Sequence, residues 1–241
     1  MRHTLLLLAL LCCAAGCRAG KGASAAETAP TEAGGCADST EAAAAPEFYA
    51  REIDSALFAR IDGRSYKKGC RVPLADLRYL QVLHVGFDGE THVGELICNQ
   101  AIADDLLEIF QVLYAARYPI ERMVLIDEYD ADDTRSMEAN NSSGFNYREI
   151  RNTGKLSNHS FGYAVDINPL RNPCVIERNG RVSVEPEAGR PYADRTQEFT
   201  GKIDREDLCY REFRKHGFVW GGDWQSLKDY QHFEKSPETA R

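Results

Sequence analysis

The chain has 241 residues, 43% hydrophobic and 27% charged, with a formal net charge of −8. Those proportions exclude a wholly disordered or fibrous chain and fit one large domain or two small ones. The acidic balance excludes nucleic-acid binding through bulk charge.

The opening "MRHTLLLLALLCCAAGC" sets Arg2 and His3 before an apolar run from Leu5 to Ala15. That run is too short to span a bilayer, and residues 1–17 read as an export signal. "AAGC" resembles a bacterial lipoprotein cleavage box, which predicts a lipid at Cys17 and a membrane-anchored protein of the periplasm or cell envelope. Residues 18–46 are rich in Ala, Gly, Thr and Glu and carry no large apolar side chain, so they read as a disordered tether. Residues 47–241 are then expected to form one domain. After Cys17 come Cys36, Cys70, Cys98, Cys174 and Cys209, an odd number with no CxxC pair. A thiolate zinc site is disfavoured, and disulfides are possible in an exported chain.

The segment "PEFYAREIDSALFARIDG" spaces Ile53, Leu57 and Ile61 as one short helix stopped at Gly63. "YLQVLHVGFDGETHVGELIC" predicts a hairpin turning at Asp88-Gly89. Asn99 is placed to cap the helix that follows, whose stripe is Ile102, Leu106, Ile109, Phe110, Leu113 and Tyr114, with Pro119 beyond it. "ERMVLIDEY" reads as a buried strand, "DADDTRSMEANNSSG" as a long polar loop, and "FNYREI" and "GYAVDINP" as short strands. Residues 171–200 read as irregular. A helix is expected over 205–216 with Gly217 at its end, then a strand or loop at "FVWGGDW". Strands and helices do not alternate regularly. The expected class is α+β, a small antiparallel sheet flanked by helices.

Asp166 lies inside the apolar run Tyr163, Ala164, Val165 and Ile167. Burying a carboxylate there requires compensation from a cation, an arginine or a metal. His159 precedes it by seven residues, roughly 23 Å if extended, so the two meet only if the chain bends at Ser160, Phe161 and Gly162. That pair alone is weak evidence for a metal. His232 in "WGGDWQSLKDYQHFE" adds a second imidazole, and two imidazoles with one carboxylate suit a catalytic zinc with an open position. Asp229, three residues earlier, is a candidate to take a proton from zinc-bound water. Glu234 is a rival base or a supporting residue. His84 and His92 read as hairpin packing residues, and His216 as a helix-end cation. Trp220 and Trp224 suit either the core or a groove wall.

Ser157-x-His159-x-x-Gly162-x-Ala164-x-Asp166, followed by Asp229-x-x-His232 after "WGGDW", resembles the zinc D-alanyl-D-alanine carboxypeptidase-like peptidases. That group includes bacterial and phage L-alanyl-D-glutamate endopeptidases. The resemblance runs from about Pro73 to Glu234 and includes "NNSSGFNYR". It implies a DD-peptidase/hedgehog-like core and zinc held by His159, Asp166 and His232. It also implies Asp229 as general base and peptidoglycan stem peptides as substrate. Carboxypeptidase relatives often carry glutamate at the base position, and aspartate there is more like the endopeptidase branch. Arg148 matches an arginine that relatives present near the metal, where it would serve the substrate carboxylate or the oxyanion, or it would tie the loop through a salt bridge. Ser157 would contact substrate or cap its own turn. The alternatives are a non-catalytic peptidoglycan-binding lipoprotein on the same fold and a cysteine hydrolase using Cys174 or Cys209.

Overall fold

A computed structural model of the chain describes residues 47–151 and 153–236. The export signal, the Cys17 box, the tether and Cys36 lie outside the described residues. The fold is α+β, with three small antiparallel sheets.

The first sheet has the order β1 (Tyr49–Glu52), β2 (Leu77–Val85), β3 (Thr91–Asn99). Asp88-Gly89 turns the β2–β3 hairpin as expected, with Gly89 at φ +79°. β2 carries apolar residues on both faces, with only Arg78 and Gln81 less than buried, because both faces are covered. Leu80 and Val82 face the larger core with α2 (Ala103–Ala115), while Leu77 and Tyr79 face α1 (Ser55–Ile61), Leu125 and Phe145. The segment expected to be one helix thus divides. Tyr49–Glu52 pairs with β2 as an edge strand, and the helix begins only after Asp54, whose carboxylate accepts from Leu57 N–H. Asn99 caps as predicted, through a single 3-10 turn that leads into α2.

The connection from α2 to the next sheet departs from the expectation. "ERMVLIDEY" is not a strand; it passes β3 with a bond from Glu95 N–H to Met123 C=O and ends in a 3-10 turn at Ile126–Tyr129. The polar loop contains a helix, α3 (Asp133–Glu138), capped by Asp132. "FNYREI" forms no ladder either; its one bridge pairs Glu149 with Leu156. These stretches satisfy their backbone through side chains and single bridges, among them Asn141 to Val124 at both N–H and C=O.

The second sheet has the order β4 (Ala164–Asp166), β9 (His232–Glu234), β7 (Val219–Trp220). The third has the order β6 (Arg181–Glu185), β5 (Cys174–Arg178), β8 (Lys228–Asp229). The stretch expected to be irregular therefore holds a hairpin. Its turn is Asn179-Gly180, with both residues at positive φ, the pairing a two-residue hairpin favours. α4 (Leu208–Lys215) is capped by Asp207 and followed by Gly217 at φ +82°. Phe213 of α4 stacks on Phe233 of β9 at 4.2 Å between ring centres, so the larger core lies directly beneath the second sheet. Cys70, Cys98, Cys174 and Cys209 are all free thiols. Among the described residues, no helix is long and apolar enough to cross a membrane.

Candidate metal centre

Asp166 and His232 occupy opposed positions in the β4–β9 ladder. Opposed residues of an antiparallel pair project to the same face, so this register brings the two side chains together across 66 residues of sequence. His159 reaches them from a 3-10 turn, Asn158–Phe161, that precedes β4. Ser157 caps that turn by accepting from His159 N–H, and Ser160 hydroxyl donates to Arg148 C=O and accepts from Arg148 N–H. The turn ends at Gly162, at φ +74°, where a Cβ would lie 2.5 Å from Asn99 N. Only glycine reverses the chain there, because the left-handed backbone and the close β3 neighbour both exclude a side chain.

The ligand atoms of His159, Asp166 and His232 all lie within 4.8 Å of one another. His159 Nε2 is 3.2 Å from His232 Nδ1 and 3.2 Å from Asp166 Oδ2, and His232 Nδ1 is 3.0 Å from Asp166 Oδ1. The outer hydrogen bonds assign the tautomers. His159 Nδ1–H donates to Gly144 C=O at 2.7 Å, which leaves a lone pair on Nε2. His232 Nε2–H donates to Glu234 Oε2 at 2.9 Å, which leaves a lone pair on Nδ1. Glu234 is held in turn by Asn158 Nδ2 at 2.7 Å. Two imidazole lone pairs and a carboxylate oxygen therefore converge on one point, an arrangement that repels itself unless a cation occupies it. The residues present fit a divalent metal that accepts nitrogen and oxygen donors.

The electrostatics agree on the sign of what belongs there. Burial opposes ionisation of Asp166, but His159 and His232 outweigh it and hold the carboxyl well below the usual range. Burial lowers His232, yet its bonds to Asp166 and Glu234 outweigh that and raise it to about 10. A proton on His232 and a metal are competing answers to the same excess of negative charge. Glu234 is lowered despite burial, because His232 donates to it.

Asp229 lies in β8 beside this cluster. Its Oδ1 is shut from solvent with no hydrogen-bond partner, and burial, with a contribution from Asp166, raises its carboxyl to about 6. Ser157 serves as the turn cap described above and is buried. Arg148 pairs with Asp133 of α3 through Nε. Among the described residues, no hydrogen bond or ion pair joins its guanidinium to His159, Asp166 or His232. Its backbone, by contrast, is bonded to the His159 turn through Ser157 and Ser160. Trp220 is core, donating Nε1–H to Tyr230 C=O, whereas Trp224 is half-buried with its ring centre 5.3 Å from that of His232.

Residues 151–235 match the D-alanyl-D-alanine carboxypeptidase family model. The family resemblance read from the motifs is thereby borne out over that segment. The match encloses Ser157, His159, Asp166, Asp229 and His232 and leaves Arg148 just outside. No solved structure matches the chain. One supporting group at this site was not foreseen, and the other was read only as a rival base or a supporting residue. The Gly144 carbonyl that orients His159 is a backbone group and leaves no signal in sequence. Glu234 had a signal, since alternate residues of a strand share a face and Glu234 follows His232 by two.

Proposed function

We propose that this chain is an exported zinc metallopeptidase that hydrolyses peptide bonds in peptidoglycan stem peptides. It would act as a D-alanyl-D-alanine carboxypeptidase or an L-alanyl-D-glutamate endopeptidase. The observation that carries the reading is the convergence of His159, Asp166 and His232 with both imidazole tautomers set to present lone pairs. His159, Asp166 and His232 would hold the metal. The chemistry a zinc ion supplies at such a site is polarisation of the scissile carbonyl and acidification of a water.

The chain's own residues carry the proton and the charge. Asp229, with a carboxyl raised to about 6, is an anion at neutral pH yet basic enough to accept a proton from water. It then passes that proton to the leaving amine. Arg148 offers guanidinium donors to the substrate carboxylate or the oxyanion, with Asp133 anchoring Nε. Ser157 holds the His159 turn and so sets the direction of that imidazole. The family is typically exported and zinc-dependent in general, which supports this setting. The N-terminal signal, the lipid at Cys17 and the tether over residues 18–46 would let the domain reach the wall from a membrane.

The test is metal content of the purified chain beside His159→Ala, with both incubated with muropeptides and the products weighed by mass spectrometry. About one zinc per chain and cleavage in the parent, both lost in the variant, is the expected result, and the product masses name the bond. A folded, zinc-free and inactive parent would instead favour a wall-binding protein.

A further inference from the structure

The third sheet places one row of side chains beside the site. Cys174 of β5 is opposed to Asp229 of β8 on one side and to Glu185 of β6 on the other. Opposed residues share a face, so Asp229, Cys174 and Glu185 project together, with Glu185 about 10 Å from Asp229 across two strand spacings. The Cys174 thiol is raised by burial and further by the charges of Asp229, Glu185 and Asp166, which agrees with all three carboxylates facing it. The row therefore runs from the base outward to an acidic rim.

A cation meets it there. A small loop is closed by the bridge between Glu149 and Leu156 and by Ile150 N–H to Lys155 C=O. The loop rises next to the His159 turn, and from it Arg151 reaches Glu185, Nη2 to Oε1 at 2.9 Å. Arg151 is mostly exposed and Glu185 partly so, at 68% and 35% of their side chains. Such a pair is only weakly held, because water competes for both partners. A ligand bearing both charges can replace one contact with two.

We propose that Arg151 and Glu185 form a subsite for a zwitterionic head group, an ammonium and a carboxylate on one carbon, at the end of a substrate side chain. Glu185 takes the ammonium and Arg151 takes the carboxylate by a bidentate bond. The 10 Å spacing suits one long side chain beside the cleaved bond, or about three extended residues from it. This proposal rests on the peptidase reading for its substrate, a stem peptide, and adds which side chain that peptide carries.

The test uses the full chain and three synthetic stem peptides that differ at one side chain. Diaminopimelate ends in ammonium plus carboxylate, lysine in ammonium alone, and norleucine in neither. Dissociation constants come from calorimetry and KM from product release. The parent should prefer diaminopimelate to lysine, and lysine to norleucine, by about tenfold at each step, the size of one charge-assisted hydrogen bond. Arg151→Ala should erase the first step and keep the second; Glu185→Gln should erase the second. Equal binding of the three peptides by the parent, or an unchanged ranking in both variants, would overturn the subsite. Binding in the expected order without cleavage would keep the subsite and remove the peptidase reading. Cleavage with equal KM for all three would do the reverse.

Discussion

Glu234 accepts from His232 Nε2 at 2.9 Å and so fixes which imidazole nitrogen faces the cluster. Glu234→Gln is expected to weaken metal binding by about 10–100-fold, the usual loss for a partner that orients a ligand, read by competition with a chromophoric chelator. A second residue-scale prediction concerns Asp207, whose carboxyl is raised by burial from 3.8 to about 6 while it caps α4. Because the folded state binds its proton more tightly, the group's contribution to stability is fully present below about pH 4 and lost as pH rises through 6. Asp207→Asn keeps the cap acceptor for Cys209 N–H and removes the charge. Denaturant melts should show the variant more stable by ~2 kcal/mol at about pH 8, with the difference vanishing near pH 4. At this scale the clustering of His159, Asp166 and His232 was legible, since the two imidazoles and one carboxylate together make a recognisable candidate donor set. A salt bridge from Arg148 to its loop was one of two readings, but its partner Asp133 was not legible, because a local motif does not specify which acid a guanidinium will find.

At the scale of the element, the His159 turn depends on Gly162. A Cβ there would meet Asn99 N at 2.5 Å in a left-handed conformation, and the β3 backbone cannot yield cheaply. Gly162→Ala is expected to lower stability by about 2 kcal/mol or more and to weaken metal binding, since His159 moves with the turn. Chemical denaturation and a zinc titration on the same sample check both. Hairpins and caps were readable where the turn residues are unambiguous: Asp88-Gly89, Asn99 and Gly217 all do what local physics predicts. Asn179-Gly180 carries the same strong signal, and Val182 and Val184 alternate with polar residues, but the charged residues Glu177, Arg178 and Arg181 around the turn made the stretch read as irregular. The runs "ERMVLIDEY" and "FNYREI" misled in the opposite way. Met123, Leu125, Ile126 and Phe145 are buried, although Ile150 is exposed, yet the runs thread beside β3 and beside the His159 turn without a partner strand in register. Burial sets apolar composition in both cases; only a neighbouring backbone turns an extended run into a strand.

For the whole molecule, the His159–Asp166–His232 cluster joins the turn before β4, β4 itself and β9. Chelator treatment of the zinc-loaded chain should lower Tm, by about 1.4 kcal/mol of stability for each tenfold excess of free zinc over its Kd. His159→Ala should abolish that response. The cluster in turn rests on the core: Phe213 is fully buried, stacks on Phe233 between His232 and Glu234, and meets Phe110 and Phe218 edge-on. Phe213→Ala is expected to cost about 3–5 kcal/mol and to loosen β9 beneath the ligands, seen as a lower Tm and a weaker zinc titration together.

By itself the sequence pointed to His159, Asp166 and His232 as a candidate donor set, and it determined the α+β class, the first hairpin, the main helices and the family model that residues 151–235 match. Each of those rests on information local to the chain, a residue type, a period or a short spacing. Only the tertiary structure decided that Asp166 and His232 stand opposite one another, and that Gly144 and Glu234 orient the imidazoles. It also decided that Asp229, Cys174 and Glu185 line one face. Those facts depend on strand register between segments far apart in sequence. Register is set by how the whole core packs, and a slip of one residue would turn each of these side chains to the opposite face.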